Sequence, residues 1–160
     1  MRKWFPAYAI VLASALLSAD VGPAVSHETA AKGLKIAHPW VRATPRGQAV
    51  GAGYVKIVNT GKETDRLIGA SIDGAAMAEL HETIVDDAGV AQMRMRPEGF
   101  EIAPGATLEL KPLGPHVMFM GLAKPFERDL KVDGTLVFEK AGAVAVEFFI
   151  ERAGANEPTH

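Results

Sequence analysis

The sequence predicts an all-β fold of the antiparallel sandwich or barrel kind, and three observations support this. Glycine and proline are frequent, with 16 and 10 copies in 160 residues, and they separate short apolar runs. No long stretch carries apolar residues at the spacing of an amphipathic helix. The apolar runs are rich in Val, Ile, Phe and Thr, and they recur at about the 8–12-residue spacing of consecutive antiparallel strands.

Nine segments have the composition of strands. They are 34–43, 53–59, 66–72, 79–85, 90–96, 106–110, 116–122, 131–138 and 143–151. Between the fourth and the fifth lies Asp86-Asp87-Ala88-Gly89, whose glycine can adopt the positive φ that hairpin loops often need. We therefore expect segments 79–85 and 90–96 to pair as a hairpin.

The two ends of the chain depart from this strand pattern. Residues 1–26 have the features of a secretory signal peptide, because Arg2 and Lys3 precede an apolar stretch and Ala24 and Ser26 have the spacing of a cleavage site. The apolar stretch is shorter than the about 20 residues that span a bilayer, so no stable membrane insertion is expected after cleavage. We expect one β-sandwich domain over residues 27–153 and a flexible tail over 154–160.

Charge, cysteine content and motifs exclude several functional classes. The formal net charge is -2 and no run of basic residues occurs, so nucleic acid is not expected as a partner. The sequence contains no cysteine, which excludes thiolate metal sites as well as disulfides. It also lacks the nucleophile elbow, the zincin helix motif and the phosphate-binding loop, so no enzyme is predicted.

Methionine and histidine are concentrated in one part of the chain. Apart from Met1, the methionines are Met77, Met93, Met95, Met118 and Met120, and His81 and His116 lie in the same stretch. Because strand residues two apart share a face, His116 projects on the same side as the two methionines that follow it. Met93 and Met95 likewise project together, and closure of the hairpin would place them on the strand next to His81.

This combination of side chains favours a particular ion. Thioether sulfur is soft and uncharged and selects Cu(I), whereas Zn²⁺ prefers Cys, His and carboxylates, and Ca²⁺ and Mg²⁺ prefer oxygen. The alternative is that the methionines fill the core or form an apolar contact surface of a copper-free β-sandwich binding module. A histidine on the same strand face as two thioethers is unusual in a dry core, which favours the metal.

The sequence resembles the PCu(A)C family of periplasmic copper chaperones over residues 36–150. The resemblance is carried by His38-Pro-Trp-Val-Arg-Ala-Thr-Pro45, Gly51-Ala-Gly-Tyr54, Ala78-Glu-Leu-His-Glu82, Met93-Arg-Met-Arg-Pro97 and His116-Val-Met-Phe-Met-Gly-Leu122. It implies a cupredoxin-like Greek-key β-sandwich in the periplasm that binds Cu(I) near its surface through two histidines and two methionines. It also implies delivery of copper to a partner, a cytochrome c oxidase subunit or another assembly chaperone, as that oxidase is assembled.

Carried onto this chain, the resemblance implies His81, Met95, His116 and Met118 as the copper ligands. The middle methionine has two candidates. Met95 precedes Arg96-Pro97 as the family ligand does, but thirteen residues separate it from His81, which is slightly long for the family; eleven separate Met93 from His81. We choose Met95 on the local match.

The three other histidines are left out of the predicted site. His38 precedes Pro39-Trp40 in a strand-like segment and is expected to be a hydrogen-bonded structural residue. His160 ends the chain, where solvation is expected. His27 would be the first residue after cleavage, and its role depends on where cleavage falls.

Overall fold

The computed structural model describes residues 28–159, which form eleven β-strands and no helix. The strands are β1 (Glu28–Ala31), β2 (Leu34–Arg42), β3 (Val50–Asn59), β4 (Asp65–Ile72), β5 (Met77–Val85), β6 (Ala91–Met95), β7 (Phe100–Ile102), β8 (Thr107–Leu110), β9 (Pro115–Met120), β10 (Lys131–Phe138) and β11 (Gly142–Glu151). None of the described residues belongs to a helix that could span a bilayer. The all-β prediction is therefore confirmed, whereas the predicted signal peptide over 1–26 lies outside the described residues.

The strands follow the order β6-β5-β9-β3-β2-β11-β10-β4-β7, with β1 added beside β2 and β8 beside β3. Most neighbours in this order are not consecutive in the chain, as Greek-key connections require. All pairs are antiparallel except β2 with β11. The arrangement closes over one core, in which Phe119 of β9 meets Phe148 of β11 edge to face with ring centroids 5.7 Å apart.

All nine predicted strands exist with bounds shifted by a few residues, and 131–138 has the predicted bounds. Two further strands were missed. β1 pairs with β2 through Lys32 and Gly33, whose φ values of 47° and 84° are those of a two-residue primed turn. β7 is only three residues long, which is too short for an alternating pattern to be recognised.

The expected hairpin between β5 and β6 is present. Asp86 N–H donates to the Val90 carbonyl at 3.0 Å, and Gly89 N–H donates to the Asp86 carbonyl at 2.9 Å. Gly89 has a φ of 79°, a backbone conformation that favours glycine. The turn fixes the register in which Val85 lies opposite Ala91, and so it fixes every cross-strand pair up to His81 and Met95.

The segment expected to be a flexible tail is packed on the sandwich over residues 154–159. Ala155 is 1% exposed and packs with Trp40 and Tyr54. Arg42 Nε donates to the Ala155 carbonyl at 2.8 Å, and the backbone N–H of Thr159 donates to a Glu151 carboxylate oxygen at 2.7 Å. These contacts attach Ala155 and Thr159 to the sandwich, while Gly154, Asn156 and Glu157 are exposed.

Candidate metal centre

Three neighbouring strands, β6, β5 and β9, bring the predicted site together at one end of the strand order. His81 of β5 lies directly opposite Met95 of β6 on one side and directly opposite His116 of β9 on the other. Directly opposed residues of antiparallel strands share a face, with Cβ atoms about 4.5–5.5 Å apart. Met95, His81 and His116 therefore form one row across the three strands.

Met118 belongs to the next row. It lies opposite Glu79, two residues from His116 along β9, and so it is diagonal to His81 on the same face. Met93 lies opposite Thr83, also on this face but displaced by two residues from His81. The register thus places Met95 rather than Met93 beside the two histidines.

The face that carries these residues points away from the core. On the alternate positions of the same strands Leu80, Val117 and Phe119 are buried in the sandwich. All five methionines of the described chain lie on the outer face together with His81 and His116. We call this the methionine face; its residues are Met77, Glu79, His81, Thr83, Met93, Met95, His116, Met118 and Met120.

Core packing does not explain the methionines. The buried hydrophobic residues of the described chain include no methionine. Met77, Met93 and Met95 are each more than half exposed, at 56%, 55% and 53%. Met118 and Met120 are partly buried. A methionine chosen to fill gaps would lie among the aliphatic and aromatic side chains of the core, and here none does.

His116 is held with one ring nitrogen occupied and the other free to bind. Its Nδ1 lies 2.9 Å from the Gly114 carbonyl, which can only accept, so Nδ1 carries the proton and Nε2 carries the lone pair. Burial and the neighbouring His81 lower the pKa of His116, and the hydrogen bond to Gly114 raises it. Burial is the largest of these effects, so the pKa of His116 is below its ordinary value. The ring is therefore neutral at neutral pH, as a metal ligand must be.

His81 has the same arrangement with its two nitrogens exchanged. Its Nε2 lies 2.9 Å from a Glu79 carboxylate oxygen, which accepts the proton of that nitrogen in the neutral ring. The lone pair is then on Nδ1, and Nδ1 is the one buried side-chain nitrogen or oxygen in residues 28–159 that has no hydrogen-bond partner. A buried acceptor without a partner is costly and marks a place where an ion or ligand belongs.

These features fit a soft monovalent ion. Histidines that bind metals usually donate their other ring N–H to a carboxylate or a carbonyl, and both rings do so here. The ring centroids are 5.9 Å apart, and thioethers lie beside them in the same row and the next. Within residues 28–159 no group of three or more His, Asp or Glu residues is placed to hold a metal ion.

The sequence analysis did not include Glu79 among the residues of the predicted site. The signal was the Glu79-Leu80-His81 spacing, since residues two apart on a strand share a face. His38 lies on β2, outside the three site strands, at a register irregularity where its φ is 48°. His27 and His160 fall outside the described residues.

Solved structures with a similar fold are PCuAC domains. The apo PCuAC domain from PmoF1 is 28% identical with a TM-score of 0.66 and matches 79% of this chain and 99% of its own. The copper-bound PCuAC domain from PmoF2 is 29% identical with a TM-score of 0.66 and matches 79% and 98%. The solution structure of CuI-DR1885 from Deinococcus radiodurans is 25% identical with a TM-score of 0.59 and matches 81% and 84%. The predicted cupredoxin-like Greek-key sandwich is thereby confirmed.

The chain belongs to the family described as "Putative lipoprotein LpqE-like", whose model matches residues 34–150. A relative from Leifsonia xyli subsp. xyli, named "Putative lipoprotein Lxx21020", is 38% identical over 131 residues, which are 79% of this chain and 75% of the relative. The family and the structural neighbours together support the resemblance to copper chaperones stated above.

Proposed function

We propose that this protein is an exported Cu(I) chaperone that binds one ion through His81, Met95, His116 and Met118 and passes it to an acceptor protein. The observation that carries the proposal is the methionine face, which gathers all five methionines of the described chain beside two imidazoles while the core contains none. The copper-bound and CuI-containing structural neighbours support the same ion.

The donor set suits transport more than catalysis. Two neutral imidazoles and two thioethers add no negative charge, so Cu(I) is held by ligand softness and can be exchanged for similar ligands. Met95 lies on the edge strand β6 and is 53% exposed, whereas His116 is 5% exposed. An acceptor would therefore replace Met95 first and His116 last.

Export is part of the proposal. The features of residues 1–26 support it, and so do the names of the family and of the Leifsonia relative, since lipoproteins are exported proteins. We propose the periplasm as the location and a cytochrome c oxidase subunit or another assembly chaperone as the acceptor. Mixing the Cu(I)-loaded protein with the copper-free acceptor domain tests transfer; an acceptor that gains no copper would contradict delivery to it.

The ligand assignment is tested by chelator competition for Cu(I) under reducing, oxygen-free conditions. We expect one tightly bound ion in the wild type and loss of that binding in the double variant His116→Ala, Met118→Ala. Met118→Ile alone is the milder variant, because it keeps an apolar side chain at this position and removes the sulfur donor. Met93→Ile is the matched thioether control and should bind as the wild type does. Unchanged Cu(I) binding in the double variant would contradict the assignment of His116 and Met118 as ligands.

Copper binding should also depend on pH. Protons compete with Cu(I) for Nδ1 of His81 and Nε2 of His116, so affinity falls as the solution becomes acidic. An ordinary histidine has a pKa of about 6.5. Burial lowers the pKa of His116, so protons begin to compete with Cu(I) for this ring only at a lower pH. Competition titrations between pH 7.5 and pH 5 should show affinity declining toward the acidic end. A flat profile would exclude the two histidines.

A further inference from the structure

Two methionines outside the proposed ligand set form a cross-strand pair of their own. Met77 of β5 lies directly opposite Met120 of β9, at the end of both strands. The row of Glu79 and Met118 separates this pair from the row of His81 and His116. Both sulfurs belong to the methionine face.

Packing does not account for Met77, the exposed member of this pair. Met77 is 56% exposed, and Met120 is partly buried. The core side of the same strand ends is filled by Phe119, opposite Ala78. A β-branched residue would suit the exposed strand position of Met77 at least as well as methionine, so this thioether gains little from burial or from strand propensity.

The pair has the chemistry to bind a soft ion. Directly opposed side chains have Cβ atoms about 4.5–5.5 Å apart, and methionine has three rotatable bonds, so two sulfurs can reach one ion. Thioether sulfur is a soft donor, and soft donors select Cu(I). The row of Met77 and Met120 contains no imidazole, so its affinity for Cu(I) should be lower than that of the four-ligand site. The Glu79 carboxylate in the next row favours a cation nearby.

We propose that Met77 and Met120 form a second, weaker Cu(I) subsite at the exposed end of the methionine face. The inference rests on the proposed function, because it assumes that the first ion occupies His81, Met95, His116 and Met118. The subsite holds copper where an acceptor can reach it, without requiring the buried His116 to move. The ion remains Cu(I) throughout.

The experiment follows methionine ε-methyl and histidine ring signals by NMR while the purified protein is titrated with Cu(I) under reducing, oxygen-free conditions. The first equivalent should shift the rings of His81 and His116 and the methyls of Met95 and Met118. The second should shift the methyls of Met77 and Met120. In Met77→Ile and in Met120→Ile the second step should be lost while the first remains. Met93→Ile is the control, since Met93 lies opposite Thr83 and has no thioether directly across from it on the neighbouring strand.

The possible outcomes separate the two proposals. If the first equivalent leaves both histidine rings unshifted, the proposed function fails. If the first step is as expected but the methyls of Met77 and Met120 do not move, or move together with the first equivalent, the second subsite is overturned. Loss of the second step in Met93→Ile to the same extent would also overturn it, because the effect would then not be specific to the pair. Unchanged spectra of the apo variants show that each substitution leaves the fold intact.

Discussion

At the residue scale, the site depends on which nitrogen of each ring is occupied. Gly114 fixes His116 through Nδ1, and Glu79 fixes His81 through Nε2. Without these partners each neutral ring would exchange between two tautomers and two orientations, and binding would have to order them. A pre-oriented ring loses less freedom when it binds an ion, so Glu79 should contribute to copper affinity without touching the metal.

Replacing Glu79 by Ala should weaken Cu(I) binding by about 10- to 100-fold, the usual effect of removing an outer partner of a metal ligand. Glu79→Gln should retain much of the affinity, because its amide oxygen can still accept from Nε2. Ring ¹⁵N shifts of the apo protein provide a second readout: the wild type should show His81 protonated at Nε2, and Glu79→Ala should show a mixture of tautomers. Glu82→Ala is the control, since Glu82 pairs with Arg96 at 2.6 Å on the other side of β5. Equal losses in the two alanine variants would contradict the role of Glu79.

At the scale of elements, strand alternation made much of the arrangement of the candidate site predictable. The nine predicted strands followed from apolar runs and turn residues, and the hairpin followed from the Asp86–Gly89 sequence, so His81 and the β6 methionines could be placed on adjacent strands. The pairing of β5 with β9 could not be predicted from the residues alone, because 29 residues separate Val85 from Pro115 and no local signal selects the partner strand. The hairpin turn sets the register that places His81 opposite Met95, whereas the register that places His81 opposite His116 is set by the tertiary pairing of β5 with β9.

The β5/β6 register also predicts different outcomes for two neighbouring methionines. Met95→Ile should weaken Cu(I) binding by about tenfold or more, which corresponds to about 1.4 kcal/mol. Met93→Ile should bind the first ion as the wild type does, because its side chain lies opposite Thr83. Both side chains are more than half exposed on one strand, so the two substitutions are matched in their effect on folding. The reverse order of affinities in chelator competition would assign the ligand to Met93.

At the scale of the whole molecule, a buried carboxylate connects two turns that are distant in the sequence through hydrogen bonds. Asp65 begins β4, is 7% exposed, and accepts backbone N–H groups from Arg66, Lys140 and Ala141 at 2.7, 2.9 and 3.0 Å. The last two belong to the turn between β10 and β11. Burial raises the pKa of Asp65, but these hydrogen bonds outweigh it and hold the pKa below its ordinary value.

The lowered pKa of Asp65 makes its contribution to folding depend on pH. In the unfolded chain the carboxyl of Asp65 has a pKa of about 3.9. In the folded chain its pKa is lower. The stabilisation is therefore fully present above the unfolded pKa and is lost as the pH falls through the folded pKa. Asp65→Asn should cost about 1–3 kcal/mol at pH 7, since an amide N–H₂ would face backbone donors. Urea unfolding at pH 7 and pH 3 should show the difference from wild type shrinking at the lower pH. Asp87→Asn, in the exposed hairpin turn, should show no such difference at either pH. An Asp65→Asn deficit that is independent of pH would contradict the ionised state of Asp65.

The outward position of the thioethers has a consequence for chemical damage. The sequence has no cysteine, so peroxide or hypochlorite in the surroundings would meet the exposed sulfurs of Met77, Met93 and Met95 first. Oxidation to the sulfoxide replaces a soft sulfur donor by a harder, polar group, so under the proposed function an oxidised Met95 would hold Cu(I) less tightly. Enzymatic reduction of the sulfoxide would restore the donor, so the copper load of the proposed site would vary reversibly with exposure to oxidant.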